Sequence, residues 1–224
     1  MDIPIELPTR ICIIGASSTG KTELIKRMIL RGDFGKKKEV EIMVFSPSGI
    51  TLEQKVWKSL EEKGIRIIKI PLDKSTPPPT NAADGIKRLM IFDDLDTAKV
   101  IPQWVVERFT IASHHLNESV VCISHKVRIG VVEIRSSARW IILTAAPEKI
   151  LRDTCDNIGC LYSDINSILS DPANIHEISK GQYGSFNHVA IRQSYCVDKE
   201  GNPAPKYFQV NKLTDVYTLR PILL

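Results

Sequence analysis

The hydrophobic residues of this chain fall into short continuous runs that alternate with longer segments of helical periodicity. Runs of β-branched and other apolar residues bounded by turn residues predict buried strands; they lie at 10–14, 41–45, 65–70, 88–92, 118–125 and 136–144. Apolar residues spaced three to four positions apart predict helices between and after these runs; the helices span 23–30, 51–63, 105–115, 148–155 and 162–169. This alternation predicts an α/β fold with a mainly parallel central sheet flanked by helices.

The pattern changes after Pro147. Two short helices are followed by the apolar segments 188–192 and 207–211, and the turn-rich stretch between them predicts a β-hairpin. We therefore expect a core over residues 1–150 and a small helical and β-hairpin extension over residues 151–224, packed on that core.

The composition is that of a soluble globular protein with a full core. The chain has 224 residues, of which 43% are hydrophobic and 25% are charged, and this excludes a disordered protein. The net charge of +4 permits contact with nucleic acid but does not require it. No apolar run is long enough to cross a bilayer, and the first residues do not resemble a secretory signal. The five cysteines follow no zinc or disulfide pattern, which favours a reducing compartment.

The first apolar run leads directly into a phosphate-binding motif. The P-loop, or Walker A, pattern G-x-x-x-x-G-K-[ST] is matched by Gly15, Ala16, Ser17, Ser18, Thr19, Gly20, Lys21 and Thr22. Its glycines let backbone amides point at phosphate oxygens, and the N-terminus of the following helix favours an anion. We predict that these eight residues bind ATP. Lys21 would reach the β- and γ-phosphates as a catalytic residue, and the Thr22 hydroxyl would ligate Mg²⁺.

A second motif follows the apolar run at 88–92. Asp93 and Asp94 come directly after this run, which is the Walker B pattern of a buried strand that ends in acids. Ligands in an open parallel sheet sit at the carboxyl ends of the strands. We therefore predict that Asp93 holds Mg²⁺, directly or through water, and that Asp94 orients or deprotonates the attacking water. The alternative is that Asp94 and Asp96 only cap the following segment.

The strand predicted at 118–125 ends in a polar residue, His125. Strand order in motor-type P-loop proteins places this strand beside the Walker B strand. We therefore predict that His125 faces the γ-phosphate as a sensor and takes part in catalysis. The alternative is that His125 only ends the strand.

These motifs resemble those of one family. The P-loop at 15–22, the Walker B run at 89–94 and the segment 109–120 are similar to those of the genome-packaging ATPases of double-jelly-roll DNA viruses and Polinton-type elements, within the FtsK–HerA superfamily. The histidine pair and asparagine within 114–117 are the most specific part of this resemblance, which spans roughly residues 10 to 150. The resemblance implies a RecA/ASCE-like P-loop NTPase.

The sequence departs from the family pattern at two positions. The family usually ends its sensor strand in glutamine, where this chain has His125, and many members carry glutamate where this chain has Asp94. Family members also use an arginine from a neighbouring subunit, for which Arg108 and Arg128 are the candidates here.

The resemblance implies a motor that hydrolyses ATP with Mg²⁺ and moves double-stranded DNA independently of its sequence. It implies a homo-oligomeric ring with ATP between subunits, capsid proteins as docking partners, and a location inside an infected host cell, in the cytoplasm or nucleus, or at the virion vertex. The motifs leave two other functions open: a P-loop kinase, although no arginine-rich lid is evident, and a slow nucleotide-dependent switch.

Overall fold

The computed structural model describes residues 7–36, 38–80, 82–83, 85–112, 116–125, 132–144, 146–158, 160, 162–170, 188–193, 207–211 and 218–222. The histidine pair His114–His115 and the candidate arginine Arg128 lie outside the described residues. No helix in these ranges is long and apolar enough to span a membrane.

Strands form where the sequence is apolar and β-branched, because such side chains pack well on a pleated surface. Their bounds are β1 Arg10–Ile14, β2 Val40–Ser46, β3 Ile67–Pro71, β4 Lys87–Asp93, β5 Glu118–Ser124, β6 Trp140–Leu143, β7 Val189–Arg192, β8 Tyr207–Asn211 and β9 Thr218–Ile222. Across the described ranges they form one nine-stranded sheet in the order β3-β2-β4-β5-β1-β6-β7-β8-β9.

The strands β1 to β6 are parallel, and β7, β8 and β9 add to β6 as antiparallel neighbours. At the centre, Ile14 of β1 pairs with Ser124 of β5 and with Leu143 of β6. The carboxyl ends of the parallel strands therefore meet at one edge of the sheet, called here the carboxyl edge, and their starts meet at the amino edge. The antiparallel pairing of β7 with β8 agrees with the predicted hairpin.

Helices cover both faces of the sheet. Their bounds are α1 Lys21–Arg31, α2 Gly49–Leu52, α3 Lys55–Glu61, α4 Gln103–Glu107, α5 Val132–Ser137, α6 Glu148–Ile158 and α7 Tyr162–Ser170, with a 3-10 turn at Leu95–Thr97 and a π-helical turn at Arg108–Ala112. The helix α1 ends where predicted, because Gly32 takes a positive φ of 80° and its amide bonds back to the last turn.

The core lies on both faces, since successive side chains of a strand point in opposite directions. Cys12 and Ile14 face a cluster that includes Cys155 of α6 and Ile165 of α7. Ile11 and Ile13 face the cluster formed with α1 and α3. Helices beyond residue 147 thus share the core of the parallel sheet. The predicted α/β fold with a mainly parallel sheet is confirmed, whereas the division at residue 150 stays a prediction.

The prediction of a single helix over 51–63 is wrong. The chain forms α2 and α3 instead, because Gln54 between them takes an extended conformation with ψ of 145°. Leu52 and Trp57 are both buried, as the periodicity predicted. Tertiary packing and the side-chain contacts of α2 override a continuous helical pattern that contains no proline or glycine to break it.

Three other predicted bounds are corrected. The strand predicted over 136–144 spans only Trp140–Leu143, since its first residues belong to α5. The helix predicted over 105–115 is α4 followed by the π-helical turn, and its last three residues lie outside the described ranges. The strand predicted over 118–125 ends at Ser124, so His125 is the first residue after β5.

A buried ion network closes the amino edge. Glu118, the first residue of β5, is fully buried between Arg88 and Arg108, with N–O distances of 3.1 and 2.8 Å. Arg108 also donates a hydrogen bond of 3.0 Å to the carbonyl oxygen of Pro79. The network therefore ties the proline-rich loop to the start of the sheet, and each buried charge has an opposite partner.

Candidate nucleotide site

The P-loop connects β1 to α1 at the carboxyl edge. Its backbone turns tightly, with φ of 61° at Ser18 and 82° at Gly20, which precedes the first residue of α1. The amide of Gly15 bonds to the carbonyl oxygen of Ser124 at 3.3 Å, so the loop is joined to the end of β5. Glycine suits the positive φ at position 20 because it has no Cβ to clash.

Lys21 lies folded into this loop. Its ammonium group donates hydrogen bonds to the carbonyl oxygens of Gly15, at 2.9 Å, and Ala16, at 2.6 Å, and the residue is only 5% exposed. Burial lowers the pKa of Lys21, and the negative charges of nearby aspartates oppose this effect. The lysine is thus a poorly hydrated cation held by carbonyl dipoles, and an anion in the loop would interact with it strongly.

A hydroxyl contact joins the P-loop to the neighbouring strand β6. The hydroxyl oxygens of Thr19 and Thr144 lie 2.6 Å apart, and Thr19 also lies 2.8 Å from the carbonyl oxygen of Ala16. The amide of Thr144 bonds to the carbonyl oxygen of Ile14, which continues the β1–β6 ladder by one residue. These contacts hold the middle of the loop against the sheet.

Asp93 is the last residue of β4 and is 1% exposed. Burial, together with the charge of Asp94, raises the pKa of Asp93 to about 7, while Lys21 opposes the rise. Within the described ranges, no hydrogen bond of normal geometry reaches its buried Oδ2 atom, although the side chain of Trp57 lies near enough to favour the charged carboxylate. A buried carboxylate oxygen without a donor has the chemistry of a cation ligand, because a metal ion would offset its desolvation.

Mg²⁺ therefore fits the residues present here. Hard oxygen donors are its preferred ligands, and it keeps several waters when only one or two protein groups bind it. Asp93 supplies a carboxylate at the end of β4, and Thr22 supplies a hydroxyl in the first turn of α1. Burial of this carboxylate is also the main cause of the raised pKa of Asp93.

Asp94 follows β4 with a left-handed backbone, φ 59° and ψ 35°. Its Oδ2 accepts a hydrogen bond of 2.7 Å from the hydroxyl of Thr51, and its Oδ1 lies 3.4 Å from Nδ1 of His125. Its carbonyl oxygen accepts from the amide and the hydroxyl of Thr97, at 2.9 and 2.8 Å. Both the main chain and the side chain of Asp94 are therefore fixed.

His125 is held at the end of β5 by Asp96. Its amide donates a hydrogen bond of 3.1 Å to Oδ1 of Asp96, and its Nδ1 lies 3.8 Å from the same oxygen. The imidazole is partly exposed, at 29%, whereas the carboxylate of Asp96 is 4% exposed. The Nδ1 atom of the histidine thus lies near two carboxylates, and the imidazole is partly exposed to solvent.

The structure brings the predicted residues together. Gly15 to Thr22, Asp93, Asp94 and His125 all lie at the carboxyl edge, on three strands that are neighbours in the sheet. Their roles stay predictions. The sequence reasoning missed Thr51 and Thr144 and considered Asp96 only in the alternative that it caps the following segment. A third acid two positions after the Walker B pair was the one signal in the sequence that could have identified Asp96.

Arg108 does not reach this site. It is buried against Glu118 at the amino edge. The seven residues of β5 run from Glu118 at that edge to Ser124 at the carboxyl edge. At a rise of about 3.3 Å per residue, the separation is roughly 20 Å. The pairing of its guanidinium with Glu118 inside its own fold argues against a role in a neighbouring subunit's site, and that candidate role stays a prediction.

Comparison with solved structures shows that this chain shares its fold with known packaging proteins. The DNA-packaging ATPase B204 of Sulfolobus turreted icosahedral virus is 11% identical, covers 100% of both chains and has a TM-score of 0.54. The genome packaging NTPase B204 of Sulfolobus turreted icosahedral virus 2, in complex with AMPPCP, is 11% identical over 97% of this chain and 100% of that chain, with a TM-score of 0.53.

This chain has the fold of the viral genome-packaging NTPases. EssC (ATPases 2 and 3) from Geobacillus thermodenitrificans is also similar in structure, at 9% identity over 65% of this chain and 34% of that chain, with a TM-score of 0.50. No family model matches the sequence, and no curated protein matches it in sequence. The resemblance predicted from the sequence is confirmed at the level of the fold.

Proposed function

We propose that this chain is an ATP-hydrolysing translocase of double-stranded DNA that packages a viral genome into a capsid. The observation that carries the proposal is the convergence of Lys21, Asp93, Asp94 and His125 at one edge of the sheet. The fold shared with packaging NTPases supports the choice of a motor among the functions that a P-loop can serve.

The P-loop would bind the phosphates of ATP. Lys21 would exchange its carbonyl partners Gly15 and Ala16 for phosphate oxygens, and its charge would stabilise the negative charge that develops on the γ-phosphate. The glycine-rich backbone from Gly15 to Gly20 would donate amide hydrogen bonds to the same anion. A lysine already held in the loop has little freedom left to lose when the nucleotide binds.

Asp94 would orient the attacking water and accept its proton. The water oxygen would form a bond to the γ-phosphorus, the bond from that phosphorus to the β–γ bridging oxygen would break, and ADP and phosphate would leave. His125 would contact the γ-phosphate or the attacking water, since its partly exposed imidazole lies at the same edge of the sheet as the P-loop and Asp94. Asp93 and Thr22 would hold Mg²⁺, which neutralises phosphate charge when bound.

The DNA would be held through its phosphate backbone, so the motor would act independently of sequence. We propose a homo-oligomeric ring with ATP between subunits, because members of the family that the sequence resembles use an arginine from a neighbouring subunit. Capsid proteins would dock the ring, and the protein would act inside an infected cell or at the virion vertex. These steps rest on the resemblance to the packaging family.

The test is the steady-state ATPase rate of the purified protein, with and without linear duplex DNA, over a range of protein concentrations. A ring motor predicts a rate per subunit that rises with protein concentration and rises further with DNA. The variant Lys21→Ala, at matched concentrations, reports any contaminating ATPase.

Other outcomes would contradict the proposal. A rate proportional to protein and unaffected by DNA would favour an enzyme whose acceptor is absent from the assay, such as a kinase. Slow turnover that neither DNA nor protein concentration changes would favour a switch.

A further inference from the structure

A threonine far from both Walker motifs in sequence contacts the proposed catalytic carboxylate. Thr51 lies 43 positions before Asp94, and its hydroxyl donates a hydrogen bond of 2.7 Å to Oδ2 of Asp94. Thr51 is 4% exposed, and the carboxylate of Asp94 is 17% exposed. The contact is therefore shielded from most solvent, where a hydrogen bond to a charged group is at its strongest.

The short helix α2 holds Thr51 in this place. The hydroxyl of Ser48 accepts a hydrogen bond from the amide of Thr51 at 3.4 Å, and the amide of Ser48 bonds to the hydroxyl of Ser46, the last residue of β2, at 3.2 Å. These serines fix the turn between the strand and the helix. Since β2 pairs with β4, the turn brings Thr51 beside the end of the Walker B strand.

The remaining contacts of Asp94 fix its main chain and leave the side-chain torsions to be set by the neighbours of its carboxylate. Thr97 holds the carbonyl oxygen of Asp94, and the left-handed backbone fixes the direction of its Cβ. Rotation of the carboxylate is then limited by its two side-chain neighbours, Thr51 at Oδ2 and His125 at Oδ1. Thr51 is the closer of the two and belongs to an element that carries no part of either Walker motif.

We propose that Thr51 is a positioning residue that sets the orientation of the Asp94 carboxylate for its work on the attacking water. This inference rests on the proposed function, because it requires Asp94 to act in hydrolysis. With Oδ2 held by the threonine, Oδ1 faces Nδ1 of His125. A carboxylate turned away from this orientation would meet the water less often, so catalysis would slow while nucleotide binding stayed intact.

The experiment compares Thr51→Val with Thr51→Ser in the full chain. Valine keeps the shape but removes the donor, whereas serine keeps the donor. We expect Thr51→Val to lower kcat for ATP hydrolysis about 10-fold or more, with KM and the dissociation constant for a non-hydrolysable ATP analogue within about twofold. Thr51→Ser should retain at least about a third of the wild-type kcat.

Two further variants serve as a replacement for Thr51→Val and as its control. Thr51→Ala removes the hydroxyl with a residue that favours helices, so it replaces Thr51→Val if that protein does not fold. Thr110→Val is the matched control, because the Thr110 hydroxyl donates, among the described residues, to the carbonyl oxygens of Val106 and Glu107 in the preceding helical turn, away from Asp94. Thr110→Val should leave kcat unchanged.

A double-mutant cycle tests whether Thr51 acts through Asp94. In an Asp94→Asn background, which already lacks the carboxylate, adding Thr51→Val should lower the residual rate less than twofold. An undiminished effect of Thr51→Val in that background would overturn the inference. Equal losses of kcat in the serine and valine variants would overturn it as well, as would a loss of nucleotide affinity that accounts for the whole effect.

The two proposals fail in different ways. If Asp94→Asn hydrolyses ATP at the wild-type rate, the proposed role of Asp94 is wrong and the role of Thr51 falls with it. If Asp94→Asn is inactive but Thr51→Val is as fast as the wild type, only the inference about Thr51 is wrong.

Discussion

The ammonium nitrogen of Lys21 lies 2.6 Å from the carbonyl oxygen of Ala16, inside the loop that would receive the phosphates. The lysine thus bonds to its own loop at the position where the charge of the nucleotide is needed. A second bond, to Gly15 at 2.9 Å, completes this arrangement.

The first prediction concerns this lysine. Lys21→Ala should abolish ATP hydrolysis and weaken ATP binding at least about 100-fold, because the cation nearest the phosphates is removed. Its melting temperature should stay close to that of the wild type, since a buried ammonium carries a desolvation cost of its own. Lys26→Ala is the control, because Lys26 lies on the same helix and pairs with Glu23 at 3.2 Å. Retained turnover in Lys21→Ala would remove the P-loop assignment.

His125 provides the second prediction. His125→Gln should keep ATP hydrolysis within a few-fold of the wild type, because glutamine can also donate to Asp94 and contact a phosphate or water. His125→Ala should lower kcat about 10-fold or more, since that contact is lost. Steady-state kinetics of both variants measure these changes in ATP hydrolysis. If both variants are inactive, His125 acts through its ring in a way that glutamine cannot replace.

The sequence was sufficient for the parts of the site that lie directly after apolar runs. Lys21, Asp93 and His125 follow or end strands, and the carboxyl ends of parallel strands must meet at one edge. The contact between Thr51 and Asp94 could not be predicted in this way. It depends on the pairing of β2 with β4, which brings together residues 43 positions apart and leaves no local pattern in the sequence.

The burial and pairing of charged residues on the strands also could not be predicted from the sequence. Glu118 and Arg88 each stand at the start of an apolar run predicted as a buried strand, and the hydrophobic pattern names no partner for either charge. The structure buries both, because they pair with each other and with Arg108. Pairing across 30 positions of sequence leaves no local pattern, so a single sequence gives no signal for it.

The third prediction follows from this ion network. Glu118→Gln should lower the free energy of unfolding by about 3 kcal/mol or more, because two buried guanidinium groups lose their shared carboxylate. Glu41→Gln is the matched control, since Glu41 also pairs with Arg88 but its side chain is 34% exposed; it should cost about 1 kcal/mol or less. Urea unfolding at neutral pH gives both values. Equal losses in the two variants would contradict the distinction between buried and exposed pairs.

Asp33 gives the fourth prediction, a dependence of stability on pH. Burial raises the pKa of Asp33 to about 6, although Arg31 lies 3.4 Å away and opposes the rise. Between about pH 4 and pH 6 the folded state therefore binds more protons at this residue than the unfolded chain does. The free energy of unfolding should fall as the pH rises through this window.

The comparison of wild type with Asp33→Asn isolates this effect. Relative to the variant, the wild type should lose on the order of 1 to 3 kcal/mol between pH 4 and pH 7. Urea unfolding of both proteins without nucleotide or Mg²⁺ measures the difference. Parallel stability curves would show that Asp33 titrates alike in the folded and unfolded states.

The central claim is that the acids at the end of β4 hydrolyse the ATP that the P-loop binds. Asp94→Asn tests it most directly, through ATP affinity and single-turnover hydrolysis measured on the same protein. The variant should bind ATP within about threefold of the wild-type dissociation constant and hydrolyse it at least about 100-fold more slowly, because the amide cannot accept the proton of the attacking water. Hydrolysis at the wild-type rate would contradict the account, and an equal loss of binding and hydrolysis would place Asp94 in folding or metal ligation instead.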